Sequence, residues 1–249
     1  MTSHAVAIEL SSELETACAV QQCFLQHSAP EIDNVSYSAQ CRQLGELGGD
    51  YYDFLRLSEN RLAFAIGDAS GKGLAAALLI AAVQSSVRTA TLFGGGDPTL
   101  VVQSVNRQAH ASSDASQYAT LFYGVFDAET GTLRYLNAGH NPPVLIHRDG
   151  SSRLLEAGGA PAGMFADWPY EEGSVQLQPG DLLLAYTDGI TEAINEEGKE
   201  WGIEGLRSAV SMHDDRAADD IVAEIFAAVN KFSDGRRSDD AAVLALRVY

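Results

Sequence analysis

Basic residues are scarce in this chain. Its 249 residues include 16 Lys and Arg against 34 Asp and Glu, a formal net charge of −18. Such a surface repels polyanions, which excludes nucleic acid and anionic membranes as natural partners. Long apolar runs are missing as well. The longest, residues 74–83, has ten residues, well short of the roughly 18 to 20 that a membrane-spanning helix requires. The N-terminus, MTSHAVAIELSSELE, has no basic stretch followed by an apolar one, so no secretory signal is read there. Cysteine is sparse too: Cys18, Cys23 and Cys41 are an odd number without metal-ligand spacing. Reduced thiols in a cytoplasmic protein are the expectation.

What is present is a globular composition, 46% hydrophobic and 20% charged residues. The length fits one domain of about 100 to 200 residues with a short appendage. Helical spacing of Leu14, Ala17, Cys18, Phe24 and Leu25 predicts a helix over 13–27, with Ser11 or Ser12 as N-cap and Ala29-Pro30 as its stop. Short strands follow: VSYSAQ, then YYDFLRLS and RLAFAIG joined as a hairpin through Ser58-Glu59-Asn60. A second hairpin joins YATLFYGVFD to TLRYLNAG. Between the hairpins lie helices over 74–91 and 98–110, separated by the breaker FGGGDP. The first of these is apolar almost all round and is expected to be buried on more than one side. Strands DLLLAYT (181–187) and AAVLALRVY (241–249) flank helices over 203–212 and 216–232. Antiparallel hairpins interrupted by helix pairs predict an α+β domain with helices on the outer faces of its sheets.

Four places put Asp where an apolar strand meets a Gly-rich or polar turn: Gly48-Gly49-Asp50, Gly67-Asp68-Ala69-Ser70-Gly71, Thr187-Asp188-Gly189 and Ser238-Asp239-Asp240. In a hairpin centred on Glu59 the opposing positions sum to 118, so Asp50 faces Asp68. Directly opposed residues have Cβ atoms about 4.5 to 5.5 Å apart, and two carboxylates that close destabilise a sheet unless a cation lies between them. Asp188 closes one strand and Asp239 opens another, which allows all four to meet at one sheet edge. Clustered oxygen donors without His or Cys select hard cations, Mg²⁺ or Mn²⁺. A backbone carbonyl such as that of Ala69 is able to join them. Two such metals activate a water and neutralise phosphate oxygens, which is most of what phosphoryl hydrolysis needs. Taken singly, each Asp is better read as a turn residue; the combination carries the argument. Gly71-Lys72 fails as a phosphate-binding P-loop, because only three residues separate Gly67 from Gly71 and Gly73 follows the lysine.

In order, GGDYYDF, GDASGKGLAAALL, LNAGHNPP, YTDGITEA and SDDAAVLALRV resemble the motifs of the protein phosphatase 2C superfamily, and more closely its bacterial SpoIIE-type branch. The resemblance spans nearly the whole chain from the first helix onward. It implies a four-layer α-β-β-α sandwich, two mainly antiparallel sheets face to face between helix pairs, with two Mn²⁺ or Mg²⁺ ions at one end. It implies a serine/threonine phosphatase whose water, activated between the metals, attacks a phosphorylated protein such as an anti-sigma-factor antagonist. By position, Asp68 resembles the carboxylate bridging both metals and the Ala69 carbonyl a ligand of one. Asp50 resembles the residue beside the first metal, and Asp188 and Asp239 resemble ligands of the second, with Asp240 the alternative to Asp239. Ala242 stands where the family usually has Thr, and Ser70 stands where animal-type members have a histidine.

The same resemblance divides the chain into an N-terminal segment, 1–30, with a linker or regulatory helix, and a phosphatase domain, 31–249. The apolar stripe of that helix predicts a homodimer or regulatory contact. Lys72 is read equally as a phosphate partner or a solvated loop lysine, and His140 as a turn-stabilising residue. The rival to the enzyme is a non-catalytic domain that keeps the fold and regulates a partner.

Overall fold

Side chains alternate across the central strands, and that alternation sets the layers. The computed structural model describes residues 3–25, 31–112, 117–210 and 216–249. One sheet has the order β1 (Val35–Arg42), β11 (Ala241–Val248), β10 (Leu182–Tyr186), β6 (Val144–Ile146), β7 (Ser152–Leu154). The other has β2 (Asp50–Arg56), β3 (Arg61–Ala69), β4 (Ala119–Asp127), β5 (Thr132–Ala138), β8 (Gly158–Gly159), with β9 (Gly173–Gln176) also paired to β5. The β5–β8 pair is parallel; the pairs that form the two hairpins and join β1, β11, β10 and β6 are antiparallel.

In β3, Leu62, Phe64 and Ile66 point between the sheets, where they pack with Leu244 and Leu246 of β11 and with Phe122 and Phe126 of β4. Each fully buried side chain of this size contributes about 1.5 to 3 kcal/mol. The intervening Ala63 and Ala65 face the other way, onto α2 (Leu74–Gly94) and α3 (Pro98–Ser112). On the opposite flank Val243 and Ala245 pack with Leu206 of α5 (Gly202–Ser208) and with Ile221 and Ile225 of α6 (Ala218–Phe232). Helices, sheet, sheet, helices is the four-layer α+β sandwich that the motifs imply.

Both expected hairpins form, the first in the register that sums to 118. Three expectations need correction. Helix α1 (Ser3–Leu25) begins before Ser11 and Ser12, so neither caps it; the Ala and Glu residues that precede them are strong helix formers. The stop at Ala29-Pro30 lies outside the described residues. Helix α2 buries one face rather than several: Ala76, Ala77, Ile80 and Val83 pack inward, while Leu78 is 65% exposed and Leu74 and Leu92 also face out. Its small inward alanines let the helix lie close on the sheet, and no further layer of described residues covers its back. Helix α5 ends at Ser208, short of the expected 212, and residues 211 and 212 lie outside the described residues.

Among the described residues, α2 is long and apolar enough to cross a bilayer, but here it is one of the outer layers. It is fastened to the sheet by a bidentate ion pair, Arg88 Nε to Asp53 Oδ2 at 2.6 Å and Nη2 to Oδ1 at 2.7 Å. The Asp53 side chain is fully buried.

Candidate metal centre

The alternation that builds the core also delivers the acids. Asp50 shares the inter-sheet face of β2 with Phe54, and Asp68 that of β3 with Ile66 and Phe64. The two are direct partners across the ladder. At this end of the sandwich the apolar filling stops and carboxylates take its place.

From the other sheet, Thr187 and Asp188 follow β10, and Asp239 and Asp240 precede β11. Asp188 therefore does not close a strand; it starts the short helix α4 (Asp188–Thr191). Asp239 lies in a bend two residues ahead of β11 rather than opening it. The two segments approach closely because residue 189 is glycine: a Cβ there would collide with the Asp240 carbonyl. Gly49 leaves space in a different way. A Cβ at Gly49 would sit 3.3 Å from the Ala69 carbonyl oxygen and 3.4 Å from Asp68 Oδ1, so its bare backbone fronts both of these oxygens.

Each acid is held differently. Asp50 is buried, and its Oδ2 accepts a hydrogen bond of 2.6 Å from the Thr187 hydroxyl. Thr187 Oγ1 in turn accepts from the Ala242 amide at 2.8 Å. This relay ties a ligand candidate of one sheet to two strands of the other, and it uses the backbone of the residue that replaces the family's Thr. Asp240 accepts from the amides of Leu44 (2.6 Å) and Gly49 (2.7 Å), so both of its oxygens pin the β1–β2 loop. Asp239 has a different partner, the Lys72 ammonium at 2.5 Å. The same loop is gripped from α1: Gln21 Oε1 accepts from the Gly48 amide and Gln21 Nε2 donates to the Gly48 carbonyl.

Burial, reinforced by Asp188, Asp239 and Asp240, pushes the Asp68 carboxyl up to about 7. Burial also raises Asp50 well above the usual carboxylate range, against the opposing pull of its Thr187 bond. Asp188 is raised by burial and then by Asp239. Negative charge is thus concentrated beyond what the surrounding protein neutralises.

Asp68, Asp188 and Asp240 act electrostatically on Asp50, and Asp188, Asp239 and Asp240 on Asp68, but among the described residues no three acidic, His or Cys side chains close into a ready-made cage. Three of the acids have other partners: Thr187 on Asp50, two amides on Asp240, Lys72 on Asp239. The donor chemistry nevertheless fits a hard divalent cation, being oxygen only and crowded with like charge.

Side chains around the acid cluster have partners of their own. The His140 turn is held by Asn137, whose Oδ1 accepts from the His140 amide at 2.7 Å and whose Nδ2 donates to the His140 carbonyl at 3.0 Å. The imidazole does something else: Nδ1 lies 2.9 Å from the hydroxyl of Thr120, the residue paired with Asp68. Trp168 stacks on Phe165 with ring centroids 5.0 Å apart, and Trp201 packs against the α5–α6 cluster. Ser70 Oγ accepts from the Tyr118 amide. Thr187 and Gln21 had no sequence signal of their own.

A family model described as stage II sporulation protein E matches residues 58–249. Phosphoserine phosphatase RsbU of Bacillus subtilis (strain 168) is 29% identical over 247 residues, covering 99% of this chain and 73% of its own length. Three other curated relatives are longer, and the chain spans 24% to 45% of them. Among solved structures, the SiaA-PP2C domain of Pseudomonas aeruginosa superimposes with a TM-score of 0.84 at 17% identity, covering 98% of this chain and 99% of that one. RsbX in complex with magnesium gives 0.68 at 16% identity, covering 89% and 99%.

Proposed function

Because the chain belongs to the SpoIIE family, within the protein phosphatase 2C superfamily, we propose that it is a metal-dependent phosphatase of phosphoserine or phosphothreonine in a protein. The observation that supports this most is the opposed pair on the inter-sheet face, buried Asp50 and half-buried Asp68, with Asp188 and Asp239 brought to the same end.

In this reading Asp50, Asp68, the Ala69 carbonyl, Asp188 and Asp239 hold two divalent cations, Mn²⁺ or Mg²⁺. Asp240 is assigned to the loop instead, because both its oxygens already accept backbone amides. The bound cations would neutralise phosphate oxygens and lower the pKa of the attacking water. The protein's own contribution is positional. Thr187 fixes the Asp50 carboxylate through Oδ2. Asp240 holds Gly49 against Asp68 and Ala69. Ser70, in the position of the animal-type histidine, accepts from the Tyr118 amide through Oγ and supplies no imidazole acid, so the leaving serine or threonine oxygen would take its proton from a water of the metal site.

The substrate belongs to the class of anti-sigma-factor antagonists or similar signalling proteins, and the setting is the cytoplasm, consistent with three free thiols. Residues 1–30 serve as a linker or regulatory segment ahead of a phosphatase domain at 31–249. The grip of Gln21 on Gly48 gives α1 a path to the metal loop, and its exposed Val20 and Phe24 offer a surface to a second copy or a regulator.

Purified protein with Mn²⁺ should hydrolyse para-nitrophenyl phosphate and a phosphoserine protein, and Asp68→Asn should abolish both. Full activity in EDTA, or in Asp68→Asn, would sink the mechanism. The second reading, a non-catalytic regulatory domain, draws on the ion pair that already occupies Asp239. Calorimetry showing no Mn²⁺ binding, together with tight capture of a partner, would favour it.

A further inference from the structure

Lys72 stands on the loop from Ala69 to α2, between Gly71 (φ 92°) and Gly73 (φ 68°). Neither glycine has a neighbour within 4 Å of the place a Cβ would occupy, so the loop is uncrowded on both sides of the lysine. The Lys72 side chain is 65% exposed. Its ammonium is nevertheless committed: Nζ donates to Asp239 Oδ2 at 2.5 Å and to the Ser238 carbonyl at 3.2 Å. Both acceptors belong to the segment entering β11, on the opposite sheet from the strand that leads into the Lys72 loop. Asp188 and Asp240 also lie within electrostatic reach of the ammonium.

The ammonium sits on one of the two Asp239 oxygens, while Oδ1 accepts from the Asp240 amide, so a divalent cation, which needs an oxygen at about 2.0 to 2.1 Å, meets a positive charge at this carboxylate. Two cations on one oxygen repel each other strongly. Metal binding at Asp239 therefore competes with the lysine. The open loop gives it room to leave.

We propose that Lys72 is a built-in competitor for one of the two metal positions, occupying Asp239 with its own ammonium and lowering the affinity of that position for a divalent cation. This rests on the metal-dependent reading above. It assigns the weaker and more exchangeable metal to the Asp188–Asp239 side, and it makes the residue at position 72 a determinant of how much free Mn²⁺ the protein needs.

The test is a calorimetric Mn²⁺ titration of the full chain, its Lys72→Met variant and a control, Arg237→Met. Arg237 is an exposed cation two residues from Asp239 whose guanidinium donates to the Gln43 carbonyl instead. Its removal changes net charge equally without freeing Asp239. Lys72→Met should tighten the weaker binding event by about two- to fivefold, the range an exposed ion pair supports, while Arg237→Met leaves it within experimental scatter. Unchanged binding in Lys72→Met overturns the proposal, as does an equal gain in both variants, which is a general charge effect. Melting of the metal-free proteins checks that both variants fold. If none of the three folded proteins binds Mn²⁺, the metal reading itself fails, an outcome separate from normal binding that ignores Lys72.

Discussion

Asp50 and Asp68 stand directly opposite each other on adjacent antiparallel strands, and both lie on the face turned toward the other sheet. Without a cation this arrangement works against folding, because two carboxylates share a partly desolvated space. Stability and function therefore pull in opposite directions at this pair. Asp68→Asn removes the repulsion along with the ligand. The metal-free variant should be more stable than the wild type at pH 8 by about 1 kcal/mol, or some 2 to 4 °C in melting temperature for a chain of this size. It should also lose the stabilisation that Mn²⁺ confers on the wild type. Melting curves with EDTA and with Mn²⁺ check both halves.

Thr187 makes a separate prediction. Its hydroxyl donates to Asp50 and accepts from the Ala242 amide, with the residue fully buried. Thr187→Val keeps the shape but removes both bonds, leaving a buried amide and a buried carboxylate oxygen short of a partner. Each such loss costs about 1 to 3 kcal/mol. Chemical denaturation should register that cost, and Mn²⁺ affinity should fall because Asp50 is no longer oriented. Thr187→Ser retains the hydroxyl and should restore Mn²⁺ affinity. A Ser variant as weak as Val would contradict the relay.

Hairpin register is legible in the amino-acid sequence because it depends only on a short turn and a period of two, and Asp50 facing Asp68 follows from both. The layers follow from the same alternation in β3 and β4. Features that escape the sequence depend on distant closure. Strands β7, β8 and β9 have three, two and four residues, too few for a pattern; β8 and β9 form along the longer β5, and β7 pairs with the equally short β6. Asp239 and Asp240 are neighbours with the same chemistry; the partners that distinguish them, Lys72 for one and Leu44 with Gly49 for the other, lie more than 160 residues away. Thr187 is inconspicuous in YTDGITEA until the two sheets close on each other. Helix α2 misleads for another reason: its composition records how apolar it is, and only packing shows that Leu78 faces outward.

Arg88 tests the attachment of α2 to the sheet. Its side chain is about one-third exposed, whereas the Asp53 side chain it clamps is fully buried. Arg88→Met deletes the cation and leaves the buried carboxylate without it, a change that typically costs about 3 to 5 kcal/mol. The variant should unfold at markedly lower urea concentration. Asp53 faces away from the inter-sheet site, so Mn²⁺ affinity measured on the folded fraction should change little. Replacing both partners by apolar residues, Asp53→Leu with Arg88→Met, should recover much of the lost stability, which a purely geometric role for the arginine would not allow.

His140 sets an acid limit on stability. Its imidazole is buried between Thr120 and the Asn137 turn, and burial lowers its pKa from 6.5 to about 4. Below pH 6.5 the unfolded chain takes up a proton on this residue while the folded protein does not. The unfolded state then binds more protons, so stability falls as pH drops from 6.5 toward 4 and is unaffected by this group above that window. At about 1.4 kcal/mol per pH unit, the His140 contribution reaches about 3 kcal/mol near pH 4. Asp68 acts with the opposite sign: its carboxyl is raised to about 7, so the metal-free protein gains stability as pH falls from 7 toward 4. The net curve mixes both, and the His140 part is isolated by comparing wild type with His140→Asn. The variant loses the Thr120 contact and starts lower at pH 7.5, but its deficit should shrink steadily on going to pH 4.5. A deficit that stays constant with pH, measured by urea unfolding in EDTA, would show that the buried imidazole does not resist protonation.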